Sequence, residues 1–369
     1  MASEGPLATR AGPSVFVGTI AGVLLAIMGM LFVDLSLAAI DRRESAGHAV
    51  DAYDRGVSLL QSRNPAAAAD QFRIAVGFDR NNINYSLGLA EATLEAGHTA
   101  DAESTLKVLL TRSENDGAVN LTMAHVMMRQ GRVPEAKAYF HRAIFGRWGE
   151  DSLVRRRQAR FELIDLLTAH GAPSELLAEL LPFEDVSPDS TALRLRLGRL
   201  FLLAGSPIRA ANMFRGLVRR DPKNAEALAG MGEAALALGN FRTARSDLAA
   251  AAEARPDDAR IRDQLALVDS VVALNPSASG LHPDERYARS RLLLSRTLDA
   301  LAGCGDPTRS AASAAGALLL TRPAPPDSMT MAGEAMVSAA IELWNARSAR
   351  CEGAVRDQPL RTLLGYLGQ

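Results

Sequence analysis

The chain has 369 residues, of which 41 are basic and 42 acidic, so its formal net charge is −1 at pH 7. This balance argues against nucleic-acid binding as the main function, because nucleic-acid-binding surfaces are strongly basic. The six histidines are scattered without metal-ligand spacing, and no Walker loop, G-x-S-x-G elbow or dinucleotide fingerprint occurs. We expect no enzyme activity, no catalytic residue, no cofactor, no metal and no small-molecule substrate. Glu162 and Asp165, the nearest approach to paired carboxylates, are predicted to be solvated.

After a tail of residues 1–12, the chain begins with an uncharged apolar segment, PSVFVGTIAGVLLAIMGMLFV, at 13–33. As a helix it would be about 31 Å long, which matches a hydrocarbon core of about 30 Å. We predict a transmembrane anchor over residues 13–40, in contact with the lipid bilayer through residues 13–33. A cleaved signal peptide ending near Ser36–Ala38 is the alternative, although the apolar region of a signal peptide is normally shorter.

Small residues recur every four positions in this segment, at Gly18, Gly22 and Ala26. A small-xxx-small stripe lets membrane helices pack closely, so these residues are predicted to form a transmembrane packing face. The alternative is that they reflect only the general abundance of Gly and Ala in membrane helices.

The charges beside the segment give conflicting indications of orientation. Arg42 and Arg43 follow it and only Arg10 precedes it, which slightly favours a cytoplasmic domain after the span. A single N-terminal span more often anchors an exported domain, and the even cysteine count is typical of an oxidising compartment. The abundance of arginine over lysine indicates a GC-rich bacterial genome. We predict a single-pass protein of the bacterial inner membrane with a periplasmic domain, the cytoplasmic side remaining the alternative.

After a short linker, the chain repeats with a period of 34 residues, as Gly198 and Gly232 illustrate. The first unit begins at Val50 or its neighbour Ala49, the latter being position 1 in the count used below, and the others begin at Ile83, Gly117, Arg157, Thr191, Ala225 and Ala259. Small residues recur at position 8 (Gly56, Ala90, Ala124, Gly198, Gly232) and at position 20 (Ala68, Ala102, Ala136, Ala210, Ala244). Glycine recurs at position 15 (Gly97, Gly131, Gly171, Gly205, Gly239), and a large residue at position 24 (Phe72, Leu106, Phe140, Leu180, Phe214, Leu248).

This pattern predicts two antiparallel helices in each unit. Small side chains let the two helix axes approach to roughly 8–10 Å, and the large residue fills the groove that they leave. Glycine at position 15 supplies the unusual backbone of the turn between the helices.

Two units depart from the pattern. Arg63 replaces the turn glycine in the first unit, and Ile164 and Leu176 replace the small pair in the fourth. Six residues are inserted between the third and fourth units, and we predict that the first helix of the fourth unit begins early, near Asp151.

The repeat pattern ends near Asn275, and residues 275–369 are predicted to form a helical C-terminal cap that covers the last apolar surface of the array. Cys304 and Cys351 each end a predicted helix in this region. We predict a disulfide between them, and two buried thiols are the alternative.

The unit of 34 residues resembles the tetratricopeptide repeat. The resemblance implies an all-α fold: a solenoid of about six to seven helical hairpins over residues 49–274, between the anchor and the cap. It also implies a concave groove that receives segments of partner proteins and is lined by the first helix of each unit, mainly through positions 2, 5, 9 and 12. The predicted groove residues, taken from positions 5 and 9, are Tyr53, Leu87, Glu91, Leu121, His125, Phe161, Asp165, Leu195 and Arg199. For the apolar members the alternative is packing between adjacent units.

The function implied is a membrane-tethered scaffold or adaptor that binds protein partners at or in the membrane, in envelope assembly or surface polysaccharide processes. The alternative is a permanent accessory subunit of a larger membrane complex.

Overall fold

The computed structural model describes the backbone of residues 13–149, 151–186, 190–302, 309–320, 326–347, 351 and 355–368. Side chains are described over the same ranges except residues 13–23, 38–42, 183–186, 309–311 and 326–327. The predicted tail of residues 1–12 lies outside the described residues.

The regular elements of the described chain are α-helices, and the prediction of an all-α repeat fold is confirmed there. One isolated bridge joins Asp116 and Arg147. The helices are α1 (Pro13–Gln61), α2 (Pro65–Phe78), α3 (Ile83–Glu95), α4 (Thr99–Arg112), α5 (Gly117–Arg129), α6 (Val133–Phe145), α7 (Ser152–Ala169), α8 (Pro173–Val186), α9 (Thr191–Leu203), α10 (Pro207–Arg220), α11 (Ala225–Ala237), α12 (Phe241–Ala254), α13 (Ala259–Leu274), α14 (Pro283–Leu301), α15 (Arg309–Leu320), α16 (Pro326–Asn345) and α17 (Gln358–Leu367).

Helix α1 is a single helix of 49 residues. The backbone remains helical across residues 41–48, which join the apolar segment to the first repeat. That stretch holds no proline and a single glycine, so nothing in it removes a backbone donor and ends the helix.

Among the helices for which side chains are described, none carries an apolar stretch long enough to cross a membrane. The transmembrane anchor therefore stays a prediction. Gly18 and Gly22 lie outside the described side chains, and Ala26 is exposed.

The repeat units begin where the sequence pattern places them. Helices α3, α5, α9, α11 and α13 start at the first residue of their predicted units, and α7 starts one residue after Asp151. The helix starts have local causes: the Asn82, Asp116, Ser190, Asn224 and Asp258 side chains each accept a bond from a backbone N–H in the first turn.

The turns between paired helices use the left-handed backbone conformation that was predicted. The five turn glycines have φ between 61° and 90°. Arg63 adopts the same conformation, with φ of 59°, although it carries a side chain that disfavours it. The geometry of the hairpin therefore overrides the preference of the residue in the first unit.

The large residue at position 24 contacts two units, not one. The ring of Phe72 is buried, and a Cβ added to Gly56 or to Gly88 would lie 2.7 or 2.8 Å from it. Phe214 has the same relationship to Gly198 and Gly230, each at 2.5 Å. Each ring therefore fits between two helices that carry glycine at the point of contact, one in its own unit and one in the next.

The chain divides into two compact units, residues 1–163 and 164–369. In the first, the inserted residues form an ordered junction: the Gly117 N–H donates to the Arg147 carbonyl (2.8 Å), and Trp148 Nε1 donates to the Ala143 carbonyl (2.8 Å). The Trp148 ring lies against Gly117, where a side chain would not fit.

In the second unit, the C-terminal helices pack on the last repeat helices. One buried cluster combines residues of α12 and α13 with residues of α14, α16 and α17, including Phe241, Val271, Leu294, Met336 and Leu363. Cys351 is fully buried in it and disulfide-bonded. Its predicted partner, Cys304, lies outside the described residues, and the pairing of the two stays a prediction.

Candidate functional site

A pocket of about 270 Å³ opens between the first helices of the first two repeats. Three predicted groove residues, Tyr53, Leu87 and Glu91, contribute to its wall. The lining residues are Tyr53, Val57, Leu60, Gln61, Phe72, Asn84, Leu87, Gly88 and Glu91. The structure thus brings together residues that were predicted singly from their repeat positions.

The repeat pattern explains why a pocket forms here. Tyr53 and Val57 on α1 are four residues apart, as are Leu87 and Glu91 on α3, so each pair lies on one helix face. Between the two helices Gly88 offers no side chain, and the ring of Phe72 forms part of the floor. Tyr53 is held by ring contacts with Phe72 (5.5 Å between centroids) and Tyr85 (5.2 Å).

Glu91 marks the polar end of the pocket. The Glu91 side chain contacts solvent on one side. On the other sides it lies in the groove between helices, where protein atoms surround the carboxyl group and partly bury it. This burial raises the pKa of the Glu91 carboxyl, against the opposing effects of the Thr122 hydrogen bond and the nearby charges of His125 and Arg155. Thr122 Oγ1 is 3.3 Å from Glu91 Oε1.

A polar line continues from Glu91 along the first helices of the third and fourth repeats. His125 Nε2 bonds the Glu162 carboxylate, whose other oxygen accepts from Gln158 Nε2 at 3.1 Å. Burial alone would raise the pKa of Glu162, but the hydrogen bond and charge of His125 lower it. The expectation that Glu162 is simply solvated was wrong: it is half-buried and bonded across two repeats.

Leu121 is less exposed than the pocket residues Tyr53 and Leu87. Leu121 is 8% exposed, which fits the alternative of packing between units. Phe161 is half-buried.

In residues 164–369 the predicted groove positions belong to ion pairs. Asp165 pairs with Arg196, and Arg199 pairs with Glu226. Leu195 beside them is half-buried. Glu226 also accepts from Arg255 at 2.9 Å. These charged groups already have partners within the chain.

Helix α17 lies against the last repeats of this unit. A cleft of about 490 Å³ is lined on one side by Glu233, Leu236, Gln264 and Leu267, and on the other by Gln358, Thr362 and Tyr366. The Tyr366 ring meets the Phe241 ring edge-on at 5.3 Å and lies against Gly239. The C-terminal helix therefore occupies space beside the repeat positions that were expected to line a groove.

Sequence reasoning missed Thr122, Gln158 and Glu162. Thr122 and Glu162 occupy position 6 of their units and Gln158 occupies position 2, whereas the predicted groove residues were taken from positions 5 and 9. A prediction that included positions 2 and 6 of the first helices would have identified these three residues. Among the described residues no group of three or more His, Cys, Asp or Glu side chains could hold a metal ion.

Two models of the tetratricopeptide repeat match the chain. One matches residues 93–145 and 201–268, and the other matches residues 53–117, which include the whole pocket lining. No curated protein matches the chain.

Solved structures of repeat proteins are similar to it at low identity. YrrB, a TPR protein with an unusual peptide-binding site, has 17% identity over 53% of this chain and 97% of its own, with a TM-score of 0.42. PilF of Pseudomonas aeruginosa has 16% identity over 61% of this chain and 99% of its own, with a TM-score of 0.41. The TPR2AB domain of yeast Sti1, solved as a complex with pHSP90, has 15% identity over 78% of this chain and 98% of its own, with a TM-score of 0.32.

Proposed function

We propose that this chain, whose residues 53–145 and 201–268 match models of the tetratricopeptide repeat, is a non-catalytic scaffold that binds a protein partner in the groove of its first repeats. Such repeats generally mediate protein–protein interactions. The proposal concerns the part of the groove formed by α1, α3, α5 and α7.

The observation that carries this proposal is the pocket at Tyr53, Leu87 and Glu91. It combines apolar walls with an accessible carboxylate, which is the usual composition of a recognition site: apolar area for affinity and a few polar groups for orientation. The charged groove positions of residues 164–369 offer less, since their ion pairs would have to be broken first.

We further propose that the N-terminal part of α1 tethers the scaffold to a membrane. Support comes from the uncharged segment of residues 13–33 and from the large apolar side chains that are exposed in its second half and just after it on α1, at Leu24, Leu25, Ile27, Met28, Met30, Leu31, Phe32, Val33, Leu35 and Leu37. A tether in the bacterial inner membrane, with the repeats in the periplasm, would suit a role in envelope assembly or surface polysaccharide processes.

The same exposed side chains favour a second candidate function, a permanent subunit of a larger membrane complex. An apolar helix surface of this extent is unfavourable in water, and packing against a helix of a neighbouring protein would bury it. In that case Gly22→Leu should release the chain from its complex, because the larger side chain separates two packed helices.

Site-specific photocrosslinking in living cells tests the proposed groove. A photoreactive phenylalanine analogue replaces Leu87 in the pocket or, as the control, Ser104, which is exposed on α4. We expect a protein adduct from position 87 and none from position 104. Equal labelling from both positions, or none from position 87, would contradict groove binding.

Purification in mild detergent separates the two candidates. A scaffold that binds its partner transiently should purify largely alone. A permanent subunit should co-purify with membrane proteins at a constant ratio. The Gly22→Leu chain is the matched variant, since only the subunit function requires it to lose them.

A further inference from the structure

We infer that the pocket between α1 and α3 binds a large apolar side chain of the partner together with a neighbouring lysine or arginine, whose cation contacts Glu91. This inference rests on the proposed scaffold function and specifies the chemistry of the partner segment.

The apolar half of the pocket selects the first side chain. Tyr53, Val57, Leu60 and Leu87 present apolar surface on its walls, and the volume of about 270 Å³ accommodates one large side chain. Ring contacts hold Tyr53 in place, so the wall is formed before a partner arrives. Burial of one such side chain contributes to the affinity for a short peptide segment.

The polar half favours a cation, because Glu91 has few donors within the protein. An ionised carboxylate accepts about four hydrogen bonds. Among the described residues, Thr122 is the one side-chain donor to Glu91, at 3.3 Å. The Thr122 hydroxyl also lies 3.0 Å from the Ala118 carbonyl, and its single hydrogen cannot serve both acceptors fully.

The neighbouring charges do not supply the missing partner. His125 is bonded to Glu162, and Arg155 acts on Glu91 only through its charge. Asp54 and Glu95 add negative charge near the pocket. An incoming ammonium or guanidinium group would meet a carboxylate with few donors from the protein, and a charge-assisted hydrogen bond between them is favourable.

The helix geometry sets the spacing of the two partner side chains. Leu87 and Glu91 are one helical turn apart, about 6 Å along the face of α3. Side chains two residues apart on an extended segment are separated by roughly 7 Å, and side chains four residues apart on a helix by roughly 6 Å. An extended partner should therefore carry the apolar and basic residues at positions i and i+2.

A peptide array with the purified full-length chain in detergent tests this inference. The peptides have 12 residues of an Ala/Ser background, with Phe, Leu or Ala at one central position and Lys, Gln or Glu two residues later. For the Phe/Lys and Leu/Lys peptides we expect at least about tenfold tighter binding than for the matched Gln or Ala peptides.

Variants of Glu91 separate direct contact from a structural role. Glu91→Gln should bring the Lys peptides down to the level of the Gln peptides, and Glu91→Lys should reverse the preference towards Glu. Glu114→Gln makes the same charge change at an exposed site away from the pocket lining and should leave the preference unchanged. Leu87→Ala should weaken all Phe and Leu peptides together.

Each outcome bears on the inference. It is overturned if acidic or neutral peptides bind as well as basic ones, if no peptide binds above the Ala/Gln background, or if Glu91→Lys leaves the preference for Lys intact. Circular dichroism of each variant checks that it folds. Crosslinking from position 87 is scored separately, so an adduct there with no basic preference would leave the scaffold function standing without this inference.

Discussion

The ring of Phe72, from the second helix of the first repeat, packs directly on Gly88, in the first helix of the second repeat. A Cβ at Gly88 would lie 2.8 Å from the ring, closer than van der Waals contact allows, and the ring is fully buried. The absence of a side chain at Gly88 is therefore a condition for stacking these two repeats.

We expect Gly88→Ala to lower the free energy of unfolding by about 1–3 kcal/mol through overpacking against Phe72. Gly77→Ala on α2 is the matched control, since nothing lies within 4 Å of an added Cβ there. It should instead stabilise by up to about 1 kcal/mol, because alanine favours the helix. Urea unfolding followed by circular dichroism measures both, and equal effects of the two variants would refute the packing argument.

Arg63 has φ of 59° where the other turns have glycine. Replacing it with glycine relieves a backbone strain of about 1–2 kcal/mol and adds chain entropy to the unfolded state. We expect Arg63→Gly to raise the free energy of unfolding by about 0.5–1 kcal/mol in thermal or urea unfolding. The reverse change, Gly97→Ala at φ of 90°, should destabilise. A stabilising effect of Gly97→Ala would show that these turns tolerate the strain.

Glu103 links the second repeat to the third. Its carboxylate accepts from Lys107 (2.7 Å), Gln130 (2.9 Å) and Arg132 (3.2 Å), and these hydrogen bonds lower the pKa of Glu103 to about 2. A pKa lower in the folded than in the unfolded state stabilises the protein above the unfolded value. That contribution falls as the pH drops from about 4.5 towards 2.

Glu103→Gln should therefore destabilise the chain by about 1 kcal/mol at pH 7, and the difference from the parent should shrink as the pH falls below 4.5. Stability measured by urea unfolding from pH 7 to pH 3 checks this. The Glu114→Gln control should show no such convergence. A difference that stays constant with pH would point to lost packing and not to the charge.

Glu91 is expected to behave in the opposite way. Its pKa is raised by burial, so the charged carboxylate costs stability above the unfolded pKa and the cost disappears as the pH falls. Glu91→Gln should stabilise the free protein at pH 7 by about 0.5 kcal/mol, a small amount because solvent screens an accessible group. Thermal unfolding measures it, and destabilisation at pH 7 would indicate that the carboxylate has a structural role.

The predicted disulfide can be tested by a double-mutant cycle. If Cys304 and Cys351 pair, Cys304→Ser, Cys351→Ser and the double variant should each lower stability by the same amount, about 2–4 kcal/mol. The reducing agent dithiothreitol should then destabilise the parent chain and leave the double variant unaffected. Additive effects of the two single variants would exclude a bond between them.

Much of the candidate site was predictable because Tyr53, Leu87 and Glu91 occupy equivalent places in neighbouring repeats. The pairing of His125 with Glu162 was not, since it joins residues 37 positions apart across an inserted junction. Nor did the pattern reveal which groove carboxylates have partners. Asp165 pairs with Arg196, whereas Glu91 has one distant hydroxyl, and that difference depends on where long side chains reach.

The sequence by itself determined the hairpins: their helix starts, their turns and the small and large residues that let two helices pack. These features depend on contacts within about 34 residues, and in a repeat array each unit contacts mainly its neighbours, so local pattern suffices. The tertiary structure alone decided that Phe72 closes the gap to the next repeat and that α17 packs beside the last groove positions. Tyr366 meets Gly239 across more than a hundred residues of chain, and no local periodicity encodes a contact of that separation.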